Sequence, residues 1–136
     1  LEGVITGTGV SFDSAVSSDG GGSLRVEATA PTTVRLFELE DIDVENAQLV
    51  YQARLRTENV QGRTYLEMWC GFPGMGEFFS RGLQSPLTGT NDWVTEGTPF
   101  FLKKGENPDR VKLNLVIEGT GTVWIDDIRL LRRPLP

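Results

Sequence analysis

The sequence predicts an all-β sandwich built from two antiparallel sheets, and three observations predict it. Short stretches alternate apolar and polar residues at period two, the spacing of a strand with one buried face. Clusters of Gly, Pro, Asn and Asp separate these stretches at short intervals. No segment sustains the period of an amphipathic helix. About nine half-apolar strands are expected, and two sheets packed face to face bury them most simply.

In order along the chain, residues 11–16 are a weak strand around Phe12 and Val16. Residues 17–22 are a turn, since consecutive glycines accept positive φ. In 23–29, Leu24, Val26 and Ala28 point inward while Arg25 and Glu27 point outward, and Pro31 ends the strand. Residues 33–39 form another strand, containing Val34, Leu36 and Phe37. Residues 40–46 are acidic and expected to be exposed. The clearest alternation spans 47–57, with Leu49, Tyr51, Ala53 and Leu55 on one face and Gln52, Arg54 and Arg56 on the other. Residues 58–63 read as a polar hairpin loop ahead of a strand at 64–72. A loop at 72–76, a strand at 77–83 and a turn cluster at 85–92 follow. A strand at 98–103 and a turn at 104–109 come next. In 110–118, Val111, Leu113, Leu115 and Ile117 point inward, opposite to Lys112, Asn114 and Val116. Gly119-Thr120-Gly121 then turns the chain into 122–131.

The 136 residues fit one domain, read as a β-sandwich over 1–131 with 132–136 starting a linker or tail. The chain opens without Met and without signal-peptide regions, so a fragment of a longer protein is expected. Thirteen basic against nineteen acidic residues give a net charge of −6, which argues against nucleic acid and anionic membrane surfaces as partners. No run of apolar residues is long enough to insert in a membrane. Histidine is absent, which removes Ser-His-Asp and Cys-His nucleophile systems. The single Cys70 cannot form an internal disulfide and is expected in the core.

The strand at 64–72 is the most informative for function. Leu66, Met68, Cys70 and Phe72 form a core face, whereas Tyr65, Glu67 and Trp69 place two aromatics and a carboxylate on the other. A solvated face needs no such set.

Gly89-Thr90-Asn91-Asp92-Trp93, Val111-Lys112-Leu113-Asn114-Leu115 and Gly121-Thr122-Val123-Trp124-Ile125-Asp126-Asp127-Ile128-Arg129-Leu130 resemble the galactose-binding-like jelly rolls. In particular they resemble the non-catalytic carbohydrate-binding modules attached to bacterial glycoside hydrolases. Gly22-Ser23-Leu24-Arg25-Val26 fits that family's second strand, and Ala53, Leu55, Arg56 and Thr57 fit a strand mid-chain. The resemblance implies a jelly-roll β-sandwich, a polysaccharide or oligosaccharide partner, and an extracytoplasmic setting: secreted, periplasmic or surface-attached.

It further implies that strands 47–57, 64–72 and 110–118 lie side by side in one sheet. Their outward faces then form one ligand-binding surface of Gln52, Arg54, Tyr65, Glu67, Trp69 and Asn114. An aromatic ring there serves the apolar side of a sugar, and the polar groups serve its hydroxyls. The alternative is an ordinary polar sheet face with cross-strand Arg–Glu pairs. Trp93 is expected to pack into the sandwich, and Trp124, opposite in phase to Val123 and Ile125, to shield an edge or border the sheet surface.

Many family members hold a structural calcium with a carboxylate in the last strand. Asp126 matches that position, with Asp127 the fallback and Ser23 carbonyl, Asp19 or Glu2 as further oxygens. The competing reading puts Asp126 and Asp127 at a bulge or an edge, hydrogen-bonded to backbone.

Two other constellations carry chemistry. Asp41-Ile42-Asp43-Val44-Glu45 is close to the strand that retaining jelly-roll glucanases use, yet reads better as a solvated acidic turn. The pairs Phe78-Phe79 and Phe100-Phe101 each leave one ring outward if extended, which marks a contact for a protein partner. The expected protein therefore binds and does not catalyse. A structural or protein-interaction ectodomain of a larger bacterial envelope protein is the alternative to sugar binding.

Overall fold

The computed structural model describes residues 10–16, 18 and 21–136. Within them the structure has eight strands: β1 (Val10–Asp13), β2 (Ser23–Ala28), β3 (Thr32–Glu40), β4 (Ala47–Phe72), β5 (Gly76–Arg81), β6 (Leu87–Leu102), β7 (Arg110–Ile117) and β8 (Thr120–Arg133). All pairings are antiparallel.

One strand organises both layers. The first half of β4 lies between β6 and β8, and β8 continues to β2 and β1. The second half lies between β5 and β7, and β7 continues to β3. Two sheets result, one ordered β1-β2-β8-β4-β6 and one β3-β7-β4-β5, sharing β4 at the fold between them. This is the jelly-roll β-sandwich that the sequence predicts.

The residues between the halves do not form a hairpin loop. Residues 58–63 remain extended, and the strand bends through register shifts beside Thr57 and Val60. Asn59 (φ 53°) and Gly62 (φ 92°) take up the left-handed conformations that such a bend requires. A hairpin would have made 47–57 and 64–72 neighbours. A bend sends them to different sheets, which corrects the expectation that they share one. The turn cluster expected at 85–92 is likewise mostly strand, because β6 starts at Leu87. The last strand runs two residues past the Leu131 boundary, with Arg132 opposite Leu49 and Arg133 opposite Gln48.

The core lies between the sheets and is filled by the alternation the sequence shows. Leu49, Tyr51, Ala53 and Leu55 meet Leu66, Met68, Cys70, Leu113, Leu115 and Ile117 across it, all buried. Tyr51 also ties the layers together, since its hydroxyl donates to the Asn114 carbonyl at 3.2 Å on the opposite sheet. Trp93 departs from expectation. Val94, opposite Leu55, takes the inward position, and Trp93 is half-buried outside the core cluster.

At the β7–β8 connection, glycine is required by space. A Cβ on Gly119 would stand 1.9 Å from the Gln61 carbonyl oxygen, so only glycine lets this turn close against the bend in β4.

Candidate functional site

The outward face of the β3-β7-β4-β5 sheet gathers the polar and aromatic side chains of 64–72. Antiparallel register places residues in rows across the strands. Arg35, Asn114, Glu67 and Arg81 make one row, and Glu38, Lys112, Trp69 and Phe79 the next. Opposite residues project to the same side, so each row is a line of neighbouring side chains.

Glu67 is the hub. Its Oε1 accepts from Trp69 Nε1 at 2.8 Å and Asn114 Nδ2 at 2.9 Å, and its Oε2 accepts from Arg81 Nε at 2.7 Å. Burial raises the cost of its charge, but these three donors together outweigh burial and hold its carboxyl below the usual glutamate range. The side chain is only 8% exposed, although it stands on an outward face.

The aromatics are held as firmly. Trp69 is half-buried, its ring tilted against Phe79 with centroids 5.2 Å apart, and the Arg81 guanidinium lies 4.1 Å over the Phe79 ring. Tyr65, buried at the far end of the strand, donates to Glu118 Oε2 at 3.1 Å, and burial with that carboxylate pushes its phenol upward. The Trp69–Phe79 ridge separates two hollows on one face. One, of about 370 Å³, is lined by Gly71, Glu77, Arg110 and Lys112. The other, of about 580 Å³, is lined by Thr33, Tyr65, Glu67, Arg81 and Val116.

Cations on this face are already neutralised. Lys112 pairs with Glu77 at 2.9 Å, Arg110 with Glu40 at 3.0 Å, Arg63 with Glu118 at 2.6 Å and Arg35 with Glu38 at 3.6 Å.

Of the six residues expected to form one surface, the structure brings together Tyr65, Glu67, Trp69 and Asn114. Gln52 and Arg54 stand on the outward face of the other sheet, opposite Arg129 and Asp126, because β4 changes sheets between them. Arg81 is a site residue that the sequence reading does not single out, and Phe79, expected only as part of an exposed pair, joins the same face. Their alternation with Glu77 is visible in the sequence, but which strand β5 pairs with is not.

On the β1-β2-β8-β4-β6 face, Trp124 is buried with Arg25 and Arg56 over its ring, and its indole donates to Asp13 Oδ2 at 3.0 Å. Asp126 Oδ2 accepts from Ser18 N and Oγ at 3.1 and 2.9 Å, and its Oδ1 accepts from Asp127 N at 2.8 Å. Asp127 has φ 50° beside a register shift in β8, so the pair sits at a bulge. Ser23 is buried, its hydroxyl donating to the Val16 carbonyl at 2.7 Å. Three N–H or O–H groups thus point at the Asp126 carboxylate, and among the described residues no group of three or more His, Cys, Asp and Glu side chains is placed to hold a metal ion. Asp19 and Glu2 lie outside the described residues.

The acidic run does not form the strand that a paired-carboxylate site needs. Residues 41–46 are irregular, with Asp41 and Asp43 at positive φ, and Asp43 accepts from Asn107 at 2.9 Å.

No family model and no curated protein matches the sequence. Solved structures do match. A "Family 16 Carbohydrate Binding Module-2" superposes with TM-score 0.67 at 12% identity over 92% of this chain and 86% of the other. The CBM22-1 xylan-binding domain of Xyn10C from Paenibacillus barcinonensis gives 0.64 at 10% identity over 93% and 82%. The fold is that of the jelly-roll carbohydrate-binding modules. It is also used elsewhere: the Stig cyclase Fisc from Fischerella sp. TAU gives 0.65 at 14% identity over 96% of this chain and 73% of the other. At these identities the likeness establishes architecture, and the chemistry of the site has to come from its own residues.

Proposed function

We propose that this domain is a non-catalytic carbohydrate-binding module, carried by a secreted or surface-attached protein, whose ligand lies on the Trp69 face. The observation that carries this reading is the Glu67 hub. It fixes an indole, an amide and a guanidinium around one carboxylate, between two hollows on the outward sheet face. Sugar recognition requires a rigid aromatic surface for the apolar side of a ring and oriented donors and acceptors for its hydroxyls. Trp69 and Phe79 supply the first; Glu67, Asn114 and Arg81 supply the second. Because the cations are already paired, a neutral chain is favoured over one bearing its own carboxylates.

Affinity electrophoresis through neutral polysaccharides (xylan, glucomannan, galactan) and through polygalacturonate tests this. Wild type is retarded by at least one neutral polymer, and Trp69→Ala is not, while Trp93→Ala behaves as wild type. Failure of every neutral polymer, or retention that survives Trp69→Ala, contradicts it.

A separate observation favours a second reading, contact with a protein partner. Phe78, Phe79 and Phe101 are exposed around a cavity of about 580 Å³ that Phe72, Met75 and Phe100 also line. Under that reading, Phe78→Ser with Phe101→Ser abolishes pull-down of the partner and leaves glycan retention intact.

A further inference from the structure

The open edge of the sandwich, where β5 and β6 meet, holds a second buried glutamate in a different condition. Glu96 lies opposite Ala53, so its side chain points between the sheets, and the residue is 9% exposed. Glu67, buried on the sheet face, has three donors. The Glu96 carboxyl has neither a hydrogen bond nor an ion pair among the described residues. Desolvation alone pushes its pKa upward, with no cation acting to lower it.

Glu96 lines a cavity of about 360 Å³ together with Gln84, Ser85, Thr95 and Thr98. The walls are fixed. Ser80 Oγ shares a hydrogen bond with Thr98 Oγ1 and donates to the Pro99 carbonyl, both at 2.5 Å, and Gly82 N donates to the Leu66 carbonyl at 3.0 Å. Gly82 crosses so close to β6 that a Cβ there would stand 3.2 Å from the Gly97 carbonyl oxygen. Arg81 also borders the cavity, but its guanidinium is committed to Glu67 and Phe79.

A partly desolvated carboxylate without a protein donor gains from a ligand that brings a charged one. We propose that this cavity is a second binding site, distinct from the Trp69 face, for a primary ammonium group on a small hydroxylated scaffold such as an amino sugar. Glu96 takes the ammonium, and Gln84, Ser85 and Thr98 offer partners for adjacent hydroxyls. A divalent cation fits less well, since it needs several anionic or carbonyl oxygens and Glu96 is the cavity's one carboxylate. A protein lysine presents the same ammonium chemistry, and the choice of probe separates the two sources.

The test is an amide NMR titration of the full chain at about pH 6, where primary amines are protonated. The probes are glucosamine, glucose and Nα-acetyl-lysine amide. Glucosamine is expected to shift the Gly82 and Gly97 amides, glucose to leave them in place, and Glu96→Gln to weaken the effect by about tenfold or more. A stronger response to the lysine probe supports the site and assigns its source to a protein. Neither amine shifting Gly82 and Gly97, glucose matching glucosamine, or an undiminished response in Glu96→Gln overturns the proposal. Trp69→Ala should leave these shifts unchanged, so failure of glycan binding on the sheet face is read separately. Glu96→Gln relieves a buried charge, and a melting temperature at or above wild type verifies that the variant folds.

Discussion

Trp69 Nε1 donates to Glu67 Oε1 at 2.8 Å, joining two residues that are neighbours on one face of β4. The indole is thereby fixed in rotation as well as position, and its plane is set against Phe79. Glu67 performs the same service for Asn114 and Arg81. Removing the carboxylate leaves the buried Asn114 amide without its acceptor and releases Trp69 and Arg81. Glu67→Ala is therefore expected to cost about 2–4 kcal/mol in urea unfolding, more than an exposed ion pair is worth. A loss within about 0.5 kcal/mol would show that the network has no structural weight.

The two buried glutamates should pull the pH dependence of stability in opposite directions. Glu67 has a folded pKa below its ordinary value of 4.5. Its contribution is complete above that value and is lost as pH falls through the folded pKa. Glu96 has a folded pKa above 4.5, so its contribution is complete below that value and is lost as pH rises through the folded pKa. Unfolding free energies measured from about pH 3 to 7 should show Glu67→Gln losing part of the decline on acidification. Glu96→Gln should lose part of the decline on the neutral side and be the more stable at neutral pH. Parallel shifts of both variants would contradict the assignment.

Cys70 is sealed in the core, and burial pushes its thiol up to about 12. A thiol in that state has almost no thiolate at neutral pH. It is expected to resist alkylation in the native protein and to react at once in denaturant. Rapid native labelling would mean that β4 opens locally.

Asp126 ties Ser18 to β8 and closes the bulge at Asp127. Asp126→Ala should cost about 1–3 kcal/mol from these lost hydrogen bonds, in buffer with chelator as in buffer without. A chelator-dependent melting temperature in wild type that vanishes in the variant would instead make Asp126 a cation ligand.

The alternation of 47–57 and 110–118 and the phase of 64–72 were legible because each face has a distinct solvent, core or water, and a strand's period is two. Leu66, Met68 and Cys70 fill the core as their spacing requires, and Tyr65, Glu67 and Trp69 stand on the opposite face. What a period cannot carry is which strand pairs with which. Asn59 and Gly62 mark a turn in most sequences, and here they mark a bend inside one continuous strand. That single difference moved Gln52 and Arg54 to the other sheet. The same limit hid Arg81, whose bond to Glu67 joins residues on paired strands through a register that local pattern does not contain.

The central claim is that ligand meets the protein at Trp69. The chain has three tryptophans, so three indole N–H resonances report on three places: the proposed face, the outer side of β6, and the buried position between Arg25 and Arg56. Titration with soluble oligosaccharides of whichever neutral polymer retains the protein should shift the Trp69 indole signal saturably and leave those of Trp93 and Trp124 in place. Saturable shifts at Trp93 or Trp124 with Trp69 unmoved would contradict the account.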